Sequence, residues 1–334
     1  MLDMNNIRQH RDLNEFQYLC ERNAIQTLLW GYGVDEPLLL MRCGIFLQDV
    51  DFKNTGEFST FFSRSILDPQ VAQILGEKKN GEDWDIIDEH LQKGNPVLLD
   101  VDVFEMPYKK STYFQSNHGS HTIIVDKKVE NGYSILDWYH PDYFYGVMTK
   151  QMLTKARLSQ NSKNQISVFS GFPINAMYRL IYMDKLNLKI DFKKSVLCTH
   201  LLSIKQITGN NGGIDFFENL CNESPPWLEN IGDFRYVTAA ESFFFMDLEL
   251  RMMILFYEKI KKLKLFDVFD LGVIINDVIE IKKSVEKIKN RLLFSHRKGN
   301  VISDSVWKQL SETLYKAVIS YVEHIIFFLN SKGN

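Results

Sequence analysis

Three long amphipathic patterns follow one another in the last third of this chain of 334 residues, at about 239–264, 268–293 and 303–329. Each carries an apolar stripe at helical spacing, and such a helix is stable only where the stripe is buried against a neighbour. Three in succession predict a helical bundle. Strand signals fade from Ser195 onward, and Asn210-Asn211-Gly212-Gly213 and Pro225-Pro226 punctuate the approach to the bundle. A chain of this length exceeds the usual size of one hydrophobic core. The reading is therefore of two domains, residues 1–190 and a helical domain over 191–334.

The first 190 residues mix two periods. Phe16, Leu19, Ala24, Ile25, Leu28 and Leu29 recur at helical spacing, and Gly31 and Gly33 stop the pattern. Residues 84–91 read as another helix, ended by Gly94 with Pro96 just beyond. Residues 97–104, 122–129 and 133–139 read as strands, and Glu130-Asn131-Gly132 between the last two is a hairpin signal. A short helix near 149–158 and a strand-like run at 176–183 follow. Helix followed by antiparallel strands gives an α+β domain, so the expected fold class is α+β with a mainly α-helical C-terminal domain.

The four cysteines, Cys20, Cys43, Cys198 and Cys221, lie far apart and form no C-x-x-C pair. That spacing argues against a zinc site and against a disulfide-stapled secreted fold. Residues 1–11 lack the apolar segment of a signal peptide. The most apolar stretch, 243–257, is interrupted by Asp247, Glu249 and Arg251 and is too short to span a bilayer. The expected location is cytoplasmic, with no membrane involvement. A net charge of −3 supplies no general field for nucleic acid.

Cys20 sits near the start of its predicted helix, where the helix dipole favours an anion and a nearby imidazolium would favour it further. A cysteine in an apolar helix is more often an inert core residue, so the case for a nucleophile needs partners. His121 opens a strand, and Asp137 lies near the end of the next one. Cysteine-dependent acyl transfer needs an imidazole to take the thiol proton and a third side chain to fix the ring tautomer. Register decides whether these meet. A two-residue Asn131-Gly132 turn places His121 opposite Asp142 and puts Asp137 on the other face. A bulge or a longer loop is needed to bring Asp137 beside His121, and Asp142 stays in reserve as the orienting carboxylate.

These residues carry a resemblance. Lys93-Gly94-Asn95-Pro96, the strand at 97–102, Met106-Pro107-Tyr108, Asn117, His121-Thr-Ile-Ile-Val and Ile135-Leu136-Asp137 resemble the butirosin biosynthesis protein H N-terminal family. Cys20 with Asn23, then the turn at 31–36, is similar to that family's nucleophile helix, and the helical half resembles its accompanying domain. The resemblance implies a papain-like fold related to the bacteriocin leader peptidases. It implies transfer of an acyl group from a carrier-protein thioester to an amine on a small natural-product precursor. By residue it implies Cys20 as acyl-accepting thiol, His121 as base and Asp137 as orienter. The position six residues before the cysteine, glutamine in papain-like enzymes, is Asn14 here. Asn14 can still donate an amide hydrogen bond to an oxyanion, with Gln17 a less well placed substitute.

Other residues divide between bland and functional readings. His118 lacks a carboxylate or cysteine at ligand spacing, so it reads as a loop histidine rather than half of a metal pair, and no metal is expected. Asp100 and Asp102, with Tyr108 following, form either a solvated strand face or a site for a cationic amine. The lysine-rich runs at 259–264 and 282–291 are solvated helix faces or a docking surface for an acidic acyl carrier protein. The function expected is a ping-pong acyltransferase that needs no cofactor, with an acyl carrier protein and a small-molecule amine as partners and a homodimer left open. A cysteine peptidase or amidase using the same residues, and an inactive binding module of the same fold, are the rivals.

Overall fold

In a computed structural model the chain is described over residues 2–10, 20–41, 43–45, 47–49, 51–60, 74–77, 83–109, 113–139, 142–162, 170–171, 173–182, 191–209 and 213–332. It divides into two compact units, one made of Met1–Leu40 and Arg64–Ile190, the other of Met41–Ser63 and Asp191–Asn334. Residues 41–63, expected in the first domain, thus belong with the helices. The reason is aromatic: Phe52 and Phe58 find their ring partners there.

The N-terminal unit is α+β. It opens with α1 (Met4–Gln9) and α2 (Cys20–Gly31). Asp3 caps α1 by accepting from the amides of Asn5 and Asn6. α1 crosses α2 so closely at Gly31 that a Cβ there would stand 2.6 Å from Leu2 and 3.0 Å from Ile7. Every residue of α2 from Arg22 to Gly31 is buried, as befits an interior helix rather than a surface one.

The helical unit begins in chain order with β1 (Leu47–Asp49), α3 (Phe52–Thr55) and β2 (Phe58–Thr60), where β1 and β2 pair antiparallel. The chain then returns to the N-terminal unit through β3 (Ile74–Glu77), α4 (Trp84–Gln92), β4 (Val97–Asp102), β5 (Ser120–Val129), β6 (Gly132–Asp137), β7 (Phe144–Met148), α5 (Lys150–Arg157) and β8 (Tyr178–Ile181). The strands form one antiparallel sheet in the order β3-β8-β4-β5-β6-β7. Val97, Leu99 and Val101 of β4, Ile123 and Val125 of β5, and Tyr133 and Ile135 of β6 point to one face, where Trp84, Ile87 and Leu91 of α4 and Leu153 and Ala156 of α5 cover them. α2 packs against β5.

The hairpin between β5 and β6 decides where the site forms. Val129 pairs with Gly132, so the turn residues are Glu130 and Asn131. Gly132 has φ +148°, and a Cβ on it would fall 2.1 Å from the Met148 carbonyl oxygen of the paired strand. The ladder then slips by one residue at Asp126, and Ile124 pairs with Leu136. This is the bulge that the residues require: a regular ladder would leave His121 and Asp137 on opposite faces, and one extra residue restores them to the same face.

The helical unit continues with α6 (Phe192–Thr208), α7 (Gly213–Asn222), α8 (Arg235–Lys262), α9 (Val268–Lys298) and α10 (Asp304–Lys332). The Phe52 ring lies 5.7 Å from Phe58, 5.8 Å from Phe216 and Trp227, and 6.1 Å from Phe243. Buried Asp247 of α8 receives Arg251 at 2.8 Å, Lys289 at 3.3 Å and Lys282 at 3.5 Å, tying α8 to α9. Among the described residues no helix is long and apolar enough to cross a membrane.

Candidate functional site

Cys20 is the first residue of α2 and is partly exposed. Its thiol donates at 3.7 Å to Oγ1 of Thr122, the residue that follows His121 on β5, and its nearness helps raise the His121 pKa. His121 is buried near the start of β5, opposite Val101 of β4. Its Nε2 lies 3.0 Å from Asp137 Oδ2. Of the three side chains proposed from the sequence, His121 and Asp137 are in direct contact, and Cys20 lies beside the same strand through Thr122. The histidine's carboxylate is Asp137 and not Asp142.

Two further groups share the same carboxylate oxygen. Lys109 Nζ lies 3.0 Å from Asp137 Oδ2, and the Tyr108 hydroxyl donates to it at 2.9 Å. Lys109 is buried and stands 5.5 Å and 5.7 Å from the ring centres of Tyr108 and Tyr139. Tyr139 also meets the His121 ring edge to face at 5.2 Å, and Tyr108 stacks on Phe144 at 4.0 Å. Sequence reasoning passed over Lys109. Its signal was slight, a lysine in a polar run, and only the turn after β4 brings it indoors.

Burial opposes charge on both His121 and Asp137, yet the opposite charges win. Burial would lower the His121 pKa, but the Asp137 carboxylate raises it to about 9 against the lowering effect of Lys109. Burial would raise Asp137, but His121 and then Lys109 hold it down at about 2. At neutral pH the imidazole holds its proton and the carboxylate is ionised.

A second charged group anchors α2. Arg179 of β8 holds Asp100 through two nitrogens at 2.9 and 3.2 Å, and its Nε lies 2.9 Å from Glu21, the residue after Cys20. Asp100 also accepts from Thr122 Oγ1 at 2.8 Å. The Asn23 amide nitrogen donates to the Trp138 carbonyl at 3.0 Å, fixing α2 to the end of β6.

The residues expected to contact substrate are engaged within the fold to different degrees. Asp102 is fully buried and already accepts from the amides of Phe104 and Gly119 and from Ser159, with His118 Nδ1 at 2.6 Å, so no lone pair is left for an amine. It holds the turn after β4 together. The Tyr108 hydroxyl donates to Asp137, and Asn23 gives its amide nitrogen to the Trp138 carbonyl while its Oδ1 stays buried without a hydrogen-bond partner. Asn14 and Gln17 lie outside the described residues. His118, stacked on Phe104 at 4.2 Å, is a structural histidine, and among the described residues no three His, Cys, Asp or Glu side chains cluster as metal ligands do.

Among known families, the model of the DUF1839 N-terminal domain matches residues 51–170. The matched stretch contains His121, Asp137, Tyr108 and Lys109 and begins after Cys20. No curated protein shows a significant match to the chain.

Proposed function

We propose that the protein is a cysteine-dependent acyltransferase in which Cys20 takes an acyl group from a carrier-protein phosphopantetheine thioester and passes it to the amine of a small acceptor. The observation that carries the reading is the His121 ring held 3.0 Å from Asp137, with the Cys20 thiol at the start of α2 hydrogen-bonded to Thr122, the next residue of β5. The papain-like frame, the kinship with the butirosin biosynthesis protein H N-terminal family, the cytoplasmic setting and the role in antibiotic or other secondary metabolism belong to the same proposal and rest on the sequence resemblance.

The chemistry needs only these groups. The Cys20 sulfur attacks the thioester carbonyl, the new sulfur–carbon bond forms, and the carrier's thiolate leaves with the proton that His121 held. The acceptor nitrogen then attacks the acyl-enzyme, His121 takes its proton, and the amide departs as the Cys20 thiolate is restored. One thioester replaces another at little energetic cost, so activation and positioning suffice. An amide donor to the oxyanion is assigned to Asn14 or Gln17 in this reading. The same three residues serve a peptidase or amidase when water, rather than an amine, reaches the acyl-enzyme.

Intact-mass measurement tests the proposal. Incubation with a panel of acyl-carrier thioesters is expected to add the acyl mass to Cys20, and Cys20→Ala to abolish the adduct. Asp137→Asn should slow its formation by about 10- to 10⁴-fold, following the logic of an orienting carboxylate. Discharge by an amine faster than by water supports transfer. Cleavage of peptides with no aminolysis replaces transfer with hydrolysis, and a folded protein that never labels is a binding module.

A further inference from the structure

The basic run on α9 separates into two kinds of cation. Lys282 is held by Glu286 at 2.5 Å and Asp247 at 3.5 Å, Lys283 by Glu280 at 2.7 Å, and Lys289 by Asp247 at 3.3 Å. Those charges serve the bundle. Lys287 and Arg291 have no ion pair among the described residues, and the Nε of Arg291 is buried without a hydrogen-bond partner. An unsatisfied buried donor on a cation is costly to maintain unless something meets it.

Both unpaired cations lie on one groove. With Asn290 and Phe294 of α9 and Val306 and Leu310 of α10 they line an open depression of about 580 Å³. Residues 287, 291 and 294 fall at i, i+4 and i+7, one face of one helix. Phe294 is 51% exposed although Val285, Ile288 and Leu292 of the same helix are fully buried. The bundle thus has its own apolar stripe, and Phe294 is apolar surface it does not use.

We propose that this groove docks an acidic amphipathic helix of a protein partner. Phe294, Val306 and Leu310 offer an apolar floor for such a helix's stripe, and Lys287 and Arg291, one turn apart, match carboxylates one turn apart beside it. A polyphosphate would leave the floor unused. An anionic bilayer is flat and favours a broad cationic face, whereas here two charges flank a concavity. The inference is independent of the Cys20 chemistry and is read by binding alone.

The probe is a fluorescein-labelled synthetic helix of about 18 residues with a leucine stripe flanked by glutamates at i, i+4. Anisotropy against the full chain is expected to show saturable binding that weakens with added salt. K287E/R291E is expected to weaken it at least about tenfold and F294S about fivefold, because charge and apolar anchors both contribute. K283E, a charge change on the same helix outside the groove, is expected to leave it within about twofold. Circular dichroism and melting confirm that each variant is folded. The proposal is overturned if a lysine-for-glutamate probe binds equally, if K283E matches K287E/R291E, or if no probe binds. Sedimentation with phosphatidylserine vesicles that depends on Lys287 and Arg291 while the helix fails to bind assigns the groove to an anionic membrane instead.

Discussion

Asp137 is the most heavily used side chain of the candidate site, since imidazole, ammonium and phenol all meet its Oδ2. Lys109 lowers the pKa of His121 while helping to keep Asp137 ionised, so it weakens the hold of the imidazole on its proton. Lys109→Met is expected to move the His121 titration upward from about 9 by roughly one unit, measured by NMR of labelled histidine in a Cys20→Ala background. An unmoved or lowered titration would show that Lys109 only fills space. The pair also shapes stability with pH. Asp137, lowered from 3.8 to about 2, stabilises the fold above pH 3.8 and loses that contribution as pH falls through 2. His121, raised from 6.5 to about 9, contributes fully below pH 6.5 and loses it as pH rises through 9. Cys20, His121 and Asp137 were legible because their chemistry is specific to residue type. Lys109 was not, because a lysine in a polar run reads as solvated until a turn is known to fold it inward.

The elements around the sheet are joined by a buried ion pair. Arg157, at the end of α5, donates to both oxygens of Asp83, just before α4, at 3.1 and 2.7 Å, and to the Ala176 carbonyl, just before β8, at 2.9 Å. Its guanidinium also lies over the Trp84 ring at 4.8 Å. Arg157→Met strands the Asp83 charge in the interior and is expected to cost about 3–5 kcal/mol in urea unfolding. Adding Asp83→Leu is expected to recover much of that loss. No recovery in the double variant would place the energy in the aromatic stacking and the Ala176 bond instead. At this scale the sequence was easiest to read where the period was long. α4, β5, β6 and the three long helices lie close to their expected positions. The Asp126 bulge was legible only as a requirement, because no local signal says where a strand takes up an extra residue.

The two units answer differently to acid. His200 of α6 is buried in the helical unit, near the rings of Phe256, Tyr257 and Phe328, and burial lowers its pKa to about 4 although the Val196 carbonyl accepts from its Nδ1. The unfolded chain binds this proton more readily than the folded one, so stability falls as pH drops from 6.5 through 4. Acidifying from pH 7 to 5 is expected to cost the helical unit about 2 kcal/mol at this one group. Chemical denaturation followed through the helical signal checks it, with His200→Leu removing most of the pH dependence. The same slope in that variant would move the effect elsewhere. The split into an α+β half and a helical half was legible from the change of period. The assignment of 41–63 to the helical unit was not, because two short strands and a single helical turn carry no period long enough to reveal their partners.

That excursion has a consequence for how the chain is made. The backbone passes from one unit to the other at 40/41, 63/64 and 190/191, so no single cut releases either unit whole. A nascent chain emits Phe52 and Phe58 long before Phe216, Trp227 and Phe243 are translated to enclose them. Synthesis therefore carries two bare aromatic side chains past the completion of the first unit, a condition that invites chaperone capture or misassembly on the ribosome. A fragment stopped at residue 190 would keep them bare permanently.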